Sequence, residues 1–109
     1  AELERREQER RAGLARKIIQ KASVISLGTP SYPKSARRKG LEGIAVVVVT
    51  VGPSGTVSSC QLSKSSGHSV LDQSALTAAR RSRFRPAKNG LGQAVSVKKA
   101  IPFNFQLNS

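Results

Sequence analysis

A chain of 109 residues has room for one small domain. Its four aromatics (Tyr32, Phe84, Phe103, Phe105), with no Trp and no Met, leave the core to Val, Leu, Ile and Ala and argue against a large substrate cavity. A lone Cys60 excludes an intrachain disulfide, and one Cys with one His argues against a protein-only zinc site, so no metal or other cofactor is expected. The formal charge of +13 is uneven: residues 1–21 hold seven basic and four acidic side chains, residues 22–109 twelve and two. The foldable part is therefore the basic part, suited to anionic surroundings such as nucleic acid, a phospholipid face or an acidic peptide. No apolar run approaches the ~18 residues of a membrane-spanning helix, and the chain does not begin with a signal peptide.

The opening "AELERREQERRAGLARKIIQKAS" is dense in Glu and Arg, with Glu2/Arg6 and Glu7/Arg11 spaced for one-turn ion pairs. Leu3, Leu14, Ile18 and Ile19 give it only a thin apolar stripe, so residues 1–22 are expected to be a charged helical leader or tether and residues 23–109 the domain proper. "SLGTPSYPKSARRKG" supplies turn residues and then a short helix, entered at Pro33 and stopped at Gly40. Two β-rich runs then flank Gly52-Pro53-Ser54-Gly55, which predicts a hairpin. Its first strand, Ile44–Val51, is apolar at nearly every position, as a central strand would be. The second alternates and is expected to be half exposed.

"SSGHSVLD" follows, and it places Ser66, His68 and Asp72, the residue types of a nucleophilic triad, within a few residues of one another. Such triads are normally assembled from distant parts of a fold, with the serine on a strained turn such as G-x-S-x-G, which this chain lacks. The competing reading is local: Ser69 and Asp72 have the S-x-x-D spacing that starts a helix. That helix should run from Val70 to about Arg83, with Leu71, Ala75, Ala78 and Ala79 on one face, cations in its last turn and Pro86 beyond it. After the turn at "KNG", residues 94–107 read as a final strand with Val95, Val97, Ile101, Phe103, Phe105 and Leu107 on one face. Pro102 cannot donate to a ladder, so this strand belongs at a sheet edge or is bulged there. The sum is an α+β domain: a small antiparallel sheet of about three main strands with two helices packed on one face.

Taken together, "YPKSARRKGLEG", "VTVGPSGTV", "SKSSGHSVLDQSALTAARRSRFRP" and "VKKAIPFNF" resemble the C-terminal domain of the TonB family, the periplasmic energy transducers of Gram-negative bacteria. The resemblance runs from about Thr29 to Leu107 and is carried by Tyr32, Pro33, Ala36, Gly43, Ser54, Gly55, Ser65 to His68, Leu71, Asp72, Phe84 and Pro86. It departs from the pattern at Ser82, where many relatives have an aromatic, and at Thr29, where some have Gln. In that family the SSGH turn enters a helix and carries no catalytic role.

The resemblance implies a periplasmic domain of an inner-membrane-anchored protein, not an enzyme. It would bind the TonB box and plug of a TonB-dependent outer-membrane transporter by strand addition. Through an N-terminal part it would meet proton-driven inner-membrane motor proteins, and so power uptake of a siderophore, haem or vitamin. The final strand is expected to offer its edge to the partner before Pro102, at Ala94, Val95, Ser96, Val97, Lys98 and Lys99, and the resemblance implies that the loop Thr29, Pro30, Ser31, Tyr32 and Pro33 borders the same groove. The alternative is a basic nucleic-acid-binding or cell-wall-binding module. For nucleic acid the charge argues but the aromatics do not, since only Tyr32 and Phe84 are candidates for stacking; no nucleic-acid partner is expected.

Overall fold

A computed structural model describes residues 2–107, the side chain of Glu2 excepted. In chain order the elements are α1 (Glu2–Arg16), β1 (Ile18–Gln20), β2 (Ser23–Ser26), α2 (Lys34–Lys39), β3 (Gly43–Val51), β4 (Val57–Lys64), α3 (Ser69–Arg81), β5 (Arg83–Arg85), β6 (Ala87–Asn89), β7 (Ala94–Val95) and β8 (Val97–Phe105). All strand pairs are antiparallel, in three small sheets ordered β4-β3-β8, β1-β6-β7 and β2-β5. The expected α+β class is therefore the observed one, with three helices and with short strands that the sequence did not announce.

The β4-β3-β8 sheet is the body of the domain. β3 is central, as its unbroken apolar run predicts, and its odd residues Ala45, Val47, Val49 and Val51 are fully buried. α3 lies on that face with Leu71, Ala75, Ala78 and Ala79 turned inward, and the alanines allow the helix to sit close to the strands. Ile101, Phe103 and Phe105 of β8 complete the core, each fully buried Val, Leu or Phe contributing about 1.5–3 kcal/mol. The hairpin turn is where the sequence puts it. Gly55 has φ +84, and a Cβ there would lie 2.1 Å from the carbonyl oxygen of Phe84, so the position requires glycine twice over. The close approach lets Gly55 accept the Phe84 amide at 2.8 Å and ties the hairpin to β5.

α2 starts after Pro33 and ends at Gly40 in the left-handed region, as predicted, and it buries Ala36. α3 ends at Arg81, not Arg83, because Ser82 turns extended and Arg83–Arg85 leave the helix to pair with β2, Val24 opposite Phe84. The final strand is also divided: Ala94–Val95 pair with β6, and β8 begins only at Val97.

The N-terminal stretch is a helix followed by pairing strands. From Leu3 on, α1 is exposed except at the half-buried Ala12 and Leu14, with Arg10 paired to Glu7 at 3.0 Å in place of the expected Glu7–Arg11 contact. The expected Glu2–Arg6 pair lies outside the described residues, as do residues 108 and 109 at the end of the expected domain. Beyond α1, Ile18 lies opposite Asn89, the Gln20 side chain donates to the Pro86 carbonyl at 2.8 Å, and Ala22 is buried in the core. Ladder contacts thus reach across the 22/23 division.

Candidate functional site: an open strand edge

β8 pairs with β3 over nine consecutive positions, from Val97 opposite Val51 to Phe105 opposite Gly43, with no break in register. Pro102 lies opposite Val46 within this regular run, so the bulge alternative falls and the edge alternative holds. A proline inside an unbroken ladder must turn its nitrogen away from the partner strand. Backbone groups alternate in direction along a strand, so the amides of Lys98, Ala100 and Asn104 share that outward direction. The opposite side of β3 agrees: Thr50, opposite Lys98, offers its carbonyl to the Ser58 hydroxyl of β4 at 3.3 Å. The side chains of β8 divide by the same parity, residues 101, 103 and 105 buried and 98, 100, 102 and 104 exposed.

The other edge of the sheet, β4, is less regular. Its register with β3 shifts twice, between Val46 and Val47 and between Thr50 and Val51. Irregular edges resist strand addition and straight ones invite it.

The expected site residues fall in three places. Val97, Lys98 and Lys99 lie at the head of the β8 edge; Ala94 and Val95 belong to the small β6–β7 pair, and Ser96 links the two. The Thr29–Pro33 loop lies against α3 and the opposite end of β8. Tyr32 meets Phe105 edge-to-face at 5.7 Å, donates its hydroxyl to the Leu41 carbonyl, and carries the Arg37 guanidinium over its ring at 5.8 Å. Burial raises the Tyr32 phenol above its ordinary value; nearby Glu42 adds to this and Arg37 opposes it. The Ser74 hydroxyl donates to the Ser31 carbonyl, and Thr29 and Pro33 line a shallow pocket with Thr77 and Arg81. At about 3.3 Å per residue, Phe105 is roughly 26 Å from Val97. The loop and the 97–99 segment therefore occupy opposite ends of one edge strand.

What borders Val97–Lys99 is the Ile18–Ala22 segment, which sequence reasoning left in the leader. A pocket of about 190 Å³ separates them, and the Lys99 ammonium donates to the Ala22 carbonyl at 3.3 Å. The signal available was the β-branched content of "KIIQKASVIS".

Ser66, His68 and Asp72 do not assemble as a triad. The Ser66 hydroxyl and amide both donate to the Asp72 carboxylate, at 2.7 and 2.8 Å, and the Ser65 hydroxyl donates to its other oxygen. The proton a nucleophilic serine would give an imidazole is engaged by the carboxylate itself. Burial pushes the Asp72 carboxyl up, but the bonds from Ser65 and Ser66, with a smaller attraction to His68, hold it below its ordinary value. The S-x-x-D cap is not formed either. His68 is the N-cap, without a side-chain bond, and Ser69 is the first helical residue and exposed. Asp72 does reach back over the helix start as such caps do, but to Ser65 and Ser66. Of the two aromatics considered for base stacking, Phe84 is buried and the Tyr32 ring is engaged by Phe105 and Arg37.

Sheet, helix and open edge define a small α+β domain whose exposed backbone ladder is its most regular surface feature. Residues 28–107 match the family described as Gram-negative bacterial TonB protein C-terminal, and the chain belongs to that family. It is 43% identical over 87 residues to protein tonB2 of Pseudomonas aeruginosa, covering 80% of this chain and 32% of that protein. It is 35% identical over 86 residues to protein TonB of Xanthomonas campestris pv. campestris, covering 79% and 38%. With protein TonB of Vibrio cholerae it shares 34% over 91 residues, covering 83% and 37%. The chain thus spans about a third of the length of these relatives. Among solved structures, the solution structure of the Pseudomonas aeruginosa TonB C-terminal domain superposes with a TM-score of 0.67 at 24% identity, over 81% of this chain and 88% of that one. That likeness concerns the fold.

Proposed function

We propose that this domain is the periplasmic, partner-binding end of a TonB-like energy transducer, and that it takes the TonB box of an outer-membrane transporter as an added strand on β8. The domain performs no catalysis. A membrane-anchored N-terminal part, coupled to a proton-driven motor, supplies the work, and a siderophore, haem or vitamin is the cargo. Strand addition draws affinity from backbone groups and specificity from alternate side chains. The observation that carries the reading is the regular β8 edge, with outward amides at Lys98, Ala100 and Asn104 and a defined parity through Pro102.

Each new ladder bond contributes about 0.5–1.5 kcal/mol net, so a handful of them, less the ordering of the peptide, gives a reversible contact. Force along the strand direction loads such bonds together, which suits brief transmission of a pull. The Thr29–Pro33 loop borders the Phe105 end of the edge, where Tyr32 is held from three sides. A transporter plug contacts the domain there in this reading.

The test is titration of the isotopically labelled domain with a TonB-box peptide. Amide shifts concentrated at residues 98–104 support it. Shifts concentrated on β4 would move the docking edge to the other side of the sheet, and none at either edge would overturn strand addition.

A further inference from the structure

We infer that the pocket between the Ile18–Ala22 segment and the head of β8 is a carboxylate subsite, taking an acidic side chain of the incoming strand and so fixing its register. The inference rests on the strand-addition reading above and adds a recognition element to it.

The pocket is lined by the apolar Ile18, Ala22, Ala87 and Val97 and by Lys21, Lys98 and Lys99; Lys99 shares the face of β8 that carries Val97, while the Lys98 side chain leaves from the other face. Lys99 is partly buried, and its ammonium is positioned by one bond, to the Ala22 carbonyl at 3.3 Å. An ammonium has three donors, so two remain for a ligand. Among the described residues no acidic side chain lines the pocket, and none of the three lysines has an ion-pair partner. Elsewhere three carboxylates are engaged: Asp72 by Ser65 and Ser66, Glu7 by Arg10, Glu42 by the Leu107 amide. The cations of Lys21 and Lys99 beside a small apolar floor, Lys99 half-buried, are complementary to a short carboxylate on an aliphatic stem.

Its position gives the subsite a role that a surface lysine patch lacks. It lies at one end of the exposed edge, where the small β1-β6-β7 sheet adjoins the strand. An added strand can slide along a uniform ladder, because every two-residue step restores the same backbone pattern. A slip of one residue moves a side chain to the other face, and a slip of two moves it by roughly 6.6 Å, beyond the reach of a tethered ammonium. One carboxylate seated beside Lys21 and Lys99 therefore selects one register.

The probe is a short peptide alternating Val and Thr, with a single Asp moved through every position, titrated into the whole chain while backbone amides of β8 are followed. The expected result is edge binding for the set, with one Asp position tighter than the rest by about three- to tenfold. That gain should shrink with added salt and disappear in Lys99→Gln and in Lys21→Gln, with thermal melts unchanged; Lys99→Arg should retain most of it. Edge shifts with the same affinity at every Asp position would overturn the subsite and leave strand addition standing. A preference that survives both Gln variants would overturn it also. Absence of shifts along residues 98–104 with any peptide would overturn strand addition on β8, and the subsite with it.

Discussion

The Ser82 hydroxyl joins Gly28 to the end of α3: it accepts the Gly28 amide at 2.9 Å and donates to the Ala78 carbonyl at 3.1 Å. Ser82 is fully buried. A Cβ on Gly28 would fall 2.1 Å from the same Ala78 oxygen, so the chain passes α3 here at a distance no side chain permits. The contact fixes the entrance of the Thr29–Pro33 loop.

Replacing Ser82 with Ala should strand the Gly28 amide and cost roughly 1–3 kcal/mol. Gly28→Ala should cost at least as much, because backbone rather than a yielding side chain blocks the new methyl. Denaturant unfolding of both variants checks this. Equal stability of all three proteins would show that the loop is not tied at this point.

The Asp72 cluster makes a pH prediction. Its carboxyl is held below the ordinary 3.8 in the folded protein. A depressed folded value means stability that is present above the unfolded value and lost as pH falls through the folded one. The difference in unfolding free energy between the native protein and Asp72→Asn should therefore be full near neutrality and shrink once the pH drops below about 4. Ser66→Ala should cost roughly 1–2 kcal/mol, since the lost hydroxyl donates to the Asp72 carboxylate at 2.7 Å and accepts the His68 amide at 3.3 Å, while the Ser66 amide keeps its own bond to Asp72. Ser69→Ala should stay within about 0.5 kcal/mol, as for an exposed position. A large loss at Ser69 would restore the simple cap.

Truncation from the N-terminus should show a step and not a slope. Residues 3–13 are almost all exposed, while Leu14 accepts the Gly90 amide at 2.7 Å and Ala22 is buried. Removing residues 1–13 should leave stability within about 0.5 kcal/mol. Removing 1–22 strips β1 from β6 and should cost roughly 1–3 kcal/mol. Thermal melts of the two lengths decide it, and a first truncation as damaging as the second would mean that α1 packs on the domain in solution.

What was legible in the sequence was whatever a local pattern enforces. Gly52-Pro53-Ser54-Gly55 fixes a turn, the apolar run of β3 fixes a central strand, and Pro102 fixes an edge. The three-residue strands β1, β5 and β6 are too short for periodicity to register, and their partners lie far away in sequence. Asp72 shows a different failure. The S-x-x-D spacing correctly signalled a helix start, but Gly67, at φ +94, turns the preceding chain back so that Ser65 and Ser66 reach the carboxylate first. For the candidate site, Val97 to Lys99 could be proposed from sequence because they belong to a patterned strand. Lys21 and Ala22 were missed because their place beside that strand is set by a ladder with β6, which no local pattern encodes.

The parity of β8 yields the sharpest test of the docking edge. Ala100 turns its amide outward and Ile101 turns its amide toward β3, so the two neighbours separate binding from folding. Ala100→Pro should keep the fold, as Pro102 does in the same strand, yet lower the affinity for a TonB-box peptide by roughly two- to tenfold, the worth of one ladder bond. Ile101→Pro should instead destabilise the domain by at least about 2 kcal/mol, because it removes a bond to β3 from a buried position. Pro102→Ala supplies the converse. It restores an outward donor in the middle of the edge at small cost to stability, so peptide affinity should rise by a similar factor, and self-association through the freed edge should rise with it. Peptide titrations paired with melts measure all three. If Ala100→Pro and Pro102→Ala both leave affinity unchanged while the fold is intact, the partner does not add to this edge.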